Sequence, residues 1–125
     1  MNGFSLLEIL IALTVITILA VMNLPSWHGP LQRADRLNAE TRLFELATAL
    51  ENYHLSYHTY ANARLENFSI PLGSTYQFEL ITAEANHFQL RATPLRTEKE
   101  CATLGLNQAG LKTSSGNKDT PFCWS

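Results

Sequence analysis

The sequence has no excess of charge of either sign. Lys and Arg total 9 and Asp and Glu total 11, so the formal net charge is −2 over 125 residues. This balance argues against an extended basic surface for nucleic acid, although a local basic patch is compatible with it. Hydrophobic residues make up 46% of the chain, which excludes disorder by composition, and the length fits one domain.

Motifs for catalysis are also absent from the sequence. It contains no nucleophile elbow, no phosphate-binding loop and no metal-binding motif. We therefore expect no enzymatic activity, no cofactor and no metal.

Charge is almost missing from the first 32 residues, where Glu8 is the single charged residue. Of the 21 residues from Phe4 to Leu24, 16 are apolar. A helix of this length is roughly 30 Å long, about the thickness of a bilayer core. Because it is apolar on all sides, it must lie in lipid or in a helix bundle. Pro25 lacks the amide that would continue the helix, so a kink or local unwinding is expected there.

Two general explanations of this segment leave Glu8 unexplained. A cleaved secretory signal peptide usually has a basic start and a small-x-small cleavage site, but Arg33 is the first basic residue and no such site follows Ala20. A plain membrane anchor explains only the length of the segment. A carboxylate within an apolar span costs about 2.5–3.5 kcal/mol on insertion scales, so its presence needs a reason.

The run Gly3-Phe4-Ser5-Leu6-Leu7-Glu8 resembles the class III signal of type IV pilins and pseudopilins. The resemblance implies that a prepilin peptidase cleaves after Gly3 and methylates the new amine of Phe4. It also implies that Glu8 neutralises the amine of an adjacent subunit during filament assembly, and that Pro25 is the family's helix-breaking proline. Residues 1–3 would then be the leader and residues 4–30 the hydrophobic helix, which anchors the protein in the membrane and later lies in the filament core.

The leader departs from the family pattern in one respect. Family leaders usually carry Lys or Arg before the Gly, whereas Met1 and Asn2 are uncharged. Either the leader is very short or the true start lies upstream.

An amphipathic helix is predicted over residues 31–57, because no Gly or Pro interrupts the chain from Leu31 to Ile70. Charged residues, Arg36 and Glu40 among them, are expected on its polar face. The expected apolar face consists of Leu37, Leu43, Phe44, Ala47, Leu50, Tyr53 and Tyr57.

Two residue sets at the end of this helix have a functional and a structural interpretation. His54 and His58 have the i, i+4 spacing of half a metal site, but a surface histidine pair is the simpler interpretation. Tyr53, Tyr57 and Tyr60 could stack on nucleic acid bases, although aromatic residues at helical spacing more often belong to a core.

The rest of the chain predicts a small antiparallel sheet over residues 75–113. Residues 75–82 and 87–93 alternate apolar and polar side chains, and the four residues between them fit a hairpin. Residues 102–107 offer a third strand, and a turn at 108–110 leads to a short fourth strand near 111–112. With the amphipathic helix over its apolar face, this gives an α+β globular domain over residues 31–125.

The two cysteines, Cys101 and Cys123, suggest a disulfide, since an even count is typical of an exported chain. The bond would close a loop of about 20 residues and stabilise the fold by roughly 3 kcal/mol in the chain-entropy model. Two free thiols are the alternative.

The C-terminal pattern is similar to that of the type IVa minor pilins, both PilE-type and ComP-like. The pattern comprises Ala92-Thr93-Pro94, Cys101, the run from Leu104 to Gly110, and Cys123-Trp124. The resemblance implies the type IV pilin fold, with a long N-terminal helix packed on the sheet and a loop bounded by the disulfide.

A minor pilin of a type IV pilus is therefore the leading functional hypothesis. Such a subunit is held in the inner membrane by a single pass before assembly and then lies in an extracellular pilus on the bacterial surface. The implied partners are other pilin subunits, the prepilin peptidase, the inner-membrane assembly platform and the membrane itself.

Two alternatives stay open at this point. The first is a competence pilin that acts as a DNA receptor. Its candidate contacts are Arg91, Arg96, Lys99, Lys112 and Lys118, although Glu98, Glu100 and Asp119 are interleaved with them. The second is a pseudopilin of a type II secretion system, against which the cysteine pair and the lack of an Asp-rich calcium loop argue.

Overall fold

A computed structural model describes residue 3, residues 5–23 and residues 28–124. Two residues of the proposed N-terminal signal and helix break, Phe4 and Pro25, lie outside the described residues. The chain divides into two compact units, Met1–Arg33 and Ala34–Ser125.

The first unit contains helix α1, Leu6–Asn23. Its described apolar side chains are exposed, from 45% at Ile9 to 81% at Leu6. Thr14 and Thr17 donate their hydroxyls to the carbonyls one turn earlier, so these polar groups are satisfied within the helix. No helix in the described part of the chain combines the length and the apolar character needed to cross a membrane.

Helix α2, His28–Tyr57, begins three residues before the predicted start at 31 and ends where the sequence predicts. The predicted apolar face is partly wrong, because Leu37, Phe44 and Tyr57 are 44%, 45% and 64% exposed. The residues of α2 that are buried are Arg36, Ala39, Glu40, Leu43, Leu46 and Leu50. Arg36 and Glu40 were expected on the polar face, but both are buried, and Arg36 pairs there with Glu98 from a distant segment.

The second unit holds an antiparallel sheet in the order β1-β2-β3-β4. Its strands are β1 Tyr76–Ala83, β2 Phe88–Pro94, β3 Leu104–Asn107 and β4 Lys112–Ser114. Each strand lies at or within one to two residues of its predicted position, so the predicted α+β class with a small antiparallel sheet is confirmed. A register shift between Leu80 and Thr82 places a bulge at Ile81.

A single core joins α2 to the inner face of the sheet. Leu43, Leu46 and Leu50 from α2 are fully buried, as are Leu90 and Leu104 from the sheet. The connection between α2 and β1 contains a short 3-10 turn over Leu65–Asn67. A short helix, α3 Thr120–Cys123, was not predicted, and Asp119 caps it by accepting a bond from the amide of Phe122.

Candidate functional site

The N-terminal motif forms a capped helix start. Ser5 Oγ accepts a hydrogen bond of 3.2 Å from the amide of Glu8, and the Ser5 carbonyl accepts one of 3.1 Å from Ile9. Glu8 lies in the first turn of α1, where the helix dipole favours an anion, and both Glu8 and Gly3 are exposed.

The capping role of Ser5 was not foreseen from the sequence, although the signal was present. Ser5-Leu6-Leu7-Glu8 has the S-x-x-E spacing of a capping box. The cap fixes where the helix begins, and it therefore fixes Glu8 in the first turn.

The predicted disulfide between Cys101 and Cys123 is confirmed. The sulfur atoms are 2.05 Å apart, the Cα atoms are 5.7 Å apart, and both residues are buried. The bond ties the segment before β3 to α3.

The polar loop inside the disulfide folds back along the segment that precedes Cys101. The Gly116 amide donates to the Cys101 carbonyl at 2.9 Å, and the Lys118 amide donates to the Glu100 carbonyl at 2.7 Å. A side chain at Gly116 would overlap the backbone of Glu100 and Cys101, so this close approach requires glycine.

A buried ion pair holds the base of the loop against α2. Arg36 Nη2 lies 3.0 Å from Glu98 Oε1, and both side chains are 7% exposed. The Glu98 carboxylate also accepts the amides of Cys101 and Ala102, at 3.0 and 2.7 Å. Ala102 has a φ of 50°, a conformation that costs energy outside glycine, so Glu98 stabilises a strained turn.

Glu40 is a second buried carboxylate in this region. Burial raises the pKa of Glu40 above its usual range, and the nearby charges of Arg36 and Lys112 only partly oppose the increase. Among the described residues, Glu40 Oε1 finds no hydrogen-bond partner.

Lysines also lie over aromatic rings in two places, which we call together the cation–aromatic strip: Lys112 with Phe44 and Trp124, and Lys118 with Phe122. Lys112 Nζ lies 5.5 Å from the ring centre of Phe44 and 5.7 Å from that of Trp124. Lys118 Nζ lies 5.5 Å from the ring centre of Phe122. Lys112, Lys118 and Phe122 are exposed, so the strip can combine charge with aromatic stacking at the protein surface.

The structure does not bring Arg91 to this strip. Across the sheet, Arg91 of β2 pairs with Gly105 of β3, which in turn pairs with Thr113 of β4. Lys112 of β4 instead pairs with the buried Leu106 of β3. Since neighbouring strand positions point to opposite faces, Arg91 and Lys112 are on opposite sides of the sheet. Arg91 pairs with Glu79 at 2.9 Å.

Arg96 and Lys99, the two remaining basic candidates, are exposed residues between β2 and Cys101. Their role as DNA contacts stays a prediction.

The histidine and tyrosine sets have separate surroundings. The ring centres of His54 and Tyr60 are 4.4 Å apart. Tyr60 is buried, and its hydroxyl donates a hydrogen bond of 2.7 Å to Glu51 Oε1. Burial and this bond raise the pKa of Tyr60 to about 12. Tyr57 is exposed, so the three tyrosines do not form one core stripe. The described residues contain no group of three side chains that could hold a metal.

Two family models match the sequence. The model described as "Type IV minor pilin ComP, DNA uptake sequence receptor" matches residues 25–105. The model described as "Prokaryotic N-terminal methylation motif" matches residues 1–22, which include the Gly3-to-Glu8 run.

Curated proteins and a solved structure are also similar to the chain. The type II secretion system core protein G of Escherichia coli (strain K12) is 36% identical over 59 residues, which is 47% of this chain and 41% of that protein. Its counterpart in Pectobacterium carotovorum is 34% identical over 59 residues, which is 47% of this chain and 38% of that protein. The chain therefore spans less than half the length of these relatives.

The structural similarity is to the crystal structure of the non-core minor pilin PilV of Neisseria meningitidis. The TM-score is 0.61 at 22% identity, over 72% of this chain and 93% of that chain. This match confirms the expected pilin fold.

Proposed function

The chain belongs to the family of type IV minor pilins described as ComP, DNA uptake sequence receptor, and from this premise we propose that it enters the pilus through its N-terminal helix and binds DNA with the cation–aromatic strip. It is a minor pilin of a type IV pilus, is exported to the pilus and associates with other pilin subunits. The role we propose is structural and ligand-binding rather than catalytic.

The observation that supports assembly through α1 is a single charged residue, Glu8, at the start of an otherwise uncharged and largely apolar helix whose side chains are exposed. Apolar side chains of this helix are open to packing on all sides. We propose that the uncleaved chain is held in the inner membrane by the hydrophobic segment over residues 4–30, where the prepilin peptidase and the assembly platform act on it. Cleavage after Gly3 would place a positive amine at Phe4, and pairing with Glu8 would offset the cost of placing either charge in an apolar bundle.

Substitution of Glu8 tests this role. Glu8→Ala should lower incorporation into sheared pili and leave cleavage largely intact, whereas Glu8→Asp, which keeps the charge, should retain more of the incorporation. Normal incorporation of Glu8→Ala would refute the role. Mass spectrometry of the membrane-extracted protein should show a methylated amine on Phe4, and an intact Met1 would refute the processing step.

The observation that supports DNA binding is the pairing of lysines with exposed rings in the strip. Lysines neutralise phosphates and aromatic rings stack on bases, so the strip has both elements of a nucleic-acid contact. The net charge of −2 means that binding must be local to such a patch.

Salt-dependent binding to a double-stranded oligonucleotide tests this proposal. Changing Lys112 and Lys118 to Ala should weaken binding and reduce the slope of log affinity against log salt by about 0.9 for each lost phosphate contact. Arg91→Ala is the matched control, because it removes one positive charge from the opposite face of the sheet. Equal weakening by Arg91→Ala and by either lysine variant would contradict a site on the strip.

We favour a pilus subunit over a type II secretion pseudopilin. The minor pilin family model spans residues 25–105, whereas the similarity to the secretion proteins extends over 59 residues. Restoration of secretion by this chain in a strain that lacks its own core protein G would overturn that preference.

A further inference from the structure

The two edges of the sheet differ in what lies beside them. At the β4 edge the C-terminal segment lies alongside the strand: Trp124 Nε1 donates to the Thr113 carbonyl at 2.9 Å, and Ser114 Oγ lies 3.2 Å from Thr120 Oγ1. β1 is the other edge, and within the described part of the chain no backbone hydrogen bond joins the 61–74 segment to it. An open edge offers backbone donors and acceptors to another chain.

The register shows which groups of β1 face outward. The Leu95 amide donates to the Thr75 carbonyl, which marks 75 and 95 as a hydrogen-bonded pair. Because such pairs alternate along an antiparallel ladder, Gln77 and Glu79 bond to β2. The amides and carbonyls of Phe78 and Leu80 are therefore directed to the open edge.

A groove of about 860 Å³ lies beside these groups. The 61–74 connection forms its other wall and contributes Leu65, Phe68, Ile70 and Leu72, and β1 contributes Phe78 and Leu80. The groove thus combines an apolar lining with unpaired backbone groups, which is the combination that binds an extended peptide by strand addition.

Charge in the groove argues for an uncharged occupant. Its charged lining residues are Arg64, Glu66 and Glu79. Glu79 is paired with Arg91 on the outer face of the sheet, which leaves Arg64 and Glu66 with opposite charges. With these two charges balanced, the groove offers no net electrostatic attraction to an anionic nucleic acid. An uncharged peptide backbone with apolar side chains suits such a groove better.

We propose that this groove binds an uncharged, extended peptide segment of a partner protein as an antiparallel strand beside β1. The site is separate from the cation–aromatic strip and does not depend on DNA binding. The peptide residues opposite Phe78 and Leu80 point their side chains into the apolar groove and exchange hydrogen bonds with β1. The bulge at Ile81 ends the regular edge, so the bound segment is short.

Amide hydrogen exchange on the full chain in detergent micelles tests the proposal. The probe is an acetylated and amidated hexapeptide of alternating Thr and Val. In the free protein the Phe78 and Leu80 amides should exchange faster than those of Gln77 and Glu79, and saturating peptide should slow them by at least about tenfold. The absence of slowing at millimolar peptide would overturn the proposal, and so would equal protection by a double-stranded oligonucleotide.

Backbone-methylated peptides provide a control that needs no variant of the protein. Val side chains fit the apolar groove, so the Val amides face β1 and the Thr amides face away. Methylation of the Val nitrogens should abolish the protection, whereas methylation of the Thr nitrogens should preserve it. Equal effects of the two peptides would refute strand addition.

Variants of the chain complement this pair. Leu80→Pro removes one outward amide, a change that an edge strand tolerates, and should reduce binding more than Leu80→Ala, which keeps the amide. If Leu80→Pro binds as well as Leu80→Ala, the edge is not the binding element. If Leu80→Pro fails to fold, the methylated peptides decide the question.

Discussion

Removal of the Glu98 side chain gives a direct measure of what holds the disulfide loop against α2. Glu98→Ala deletes the carboxylate that pairs with Arg36 at 3.0 Å and accepts two backbone amides. Arg36 would remain buried at 6% exposure beside the exposed Glu100, which lies farther away at 3.4 Å. Breaking a buried pair by removing one partner costs about 3–5 kcal/mol.

This cost should be visible in the melting temperature. A domain of this size shifts by about 4–8 °C for each kcal/mol, so Glu98→Ala should melt at least about 12 °C below the parent. The matched control is Glu79→Ala, which breaks the exposed Arg91–Glu79 pair and should cost about 1 kcal/mol or less.

The assay is urea and thermal unfolding of the oxidised fragment that begins at Leu31. Trp124 is its single tryptophan, and the indole donates to the Thr113 carbonyl, so its fluorescence reports whether the C-terminal segment stays on the sheet. A destabilisation by Glu98→Ala as small as that by Glu79→Ala would refute the assigned role of the ion pair.

A double variant at Arg36 and Glu98 separates the energetic effect of the buried Arg36 charge from that of the two backbone amides that Glu98 accepts. Arg36→Met with Glu98→Met removes the unpaired charge, so it should be more stable than Glu98→Ala. It should remain about 1–3 kcal/mol below the parent for each amide left without an acceptor, at Cys101 and Ala102. A double variant no more stable than Glu98→Ala would show that the charge of Arg36 is not the source of the loss.

Three further outcomes are expected. In the folded fragment Cys101 and Cys123 should resist thiol labelling, and their reduction should lower stability by roughly 3 kcal/mol; rapid labelling of both would contradict a buried disulfide. Because the pKa of Glu40 is raised in the fold, its ionisation lowers stability as pH rises through that pKa, so Glu40→Gln should be more stable than the parent at neutral pH. Urea midpoints measured from pH 7 towards 4.5 should converge, and a constant difference would argue against the titration. Ser5→Ala should fray the start of α1 at a cost of about 1 kcal/mol, seen as faster exchange of the Glu8 amide; unchanged exchange would contradict the cap.

Local patterns predicted the elements well. Alternation of apolar and polar side chains located β1 and β2, and cysteine parity indicated the disulfide, because each signal lies within a short stretch or a simple count. The N-terminal run from Gly3 to Glu8 is likewise a local signal, and the methylation-motif model matches the same region.

These local patterns could not predict contacts between residues that are distant in the sequence. Arg36 and Glu40 resemble surface residues in sequence, and only the fold brings Glu98 and Lys112, more than 60 positions away, next to them. For the same reason the buried face of α2 was misplaced. The grouping of Arg91 with Lys112 depended on strand register, which decides the face of the sheet and cannot be deduced from charge.

The C-terminal segment that lies along β4 also limits how copies of this protein can join through their sheets. With Trp124 and Thr120 in side-chain contact with that strand, the C-terminal segment obstructs the approach of another chain to the β4 edge. Pairing of two copies through β1 would use both open edges and end at a closed dimer, and a bound peptide would give a stoichiometry of one to one. Either arrangement occupies β1, so growth into a cross-β fibre would require displacement of the C-terminal segment from β4.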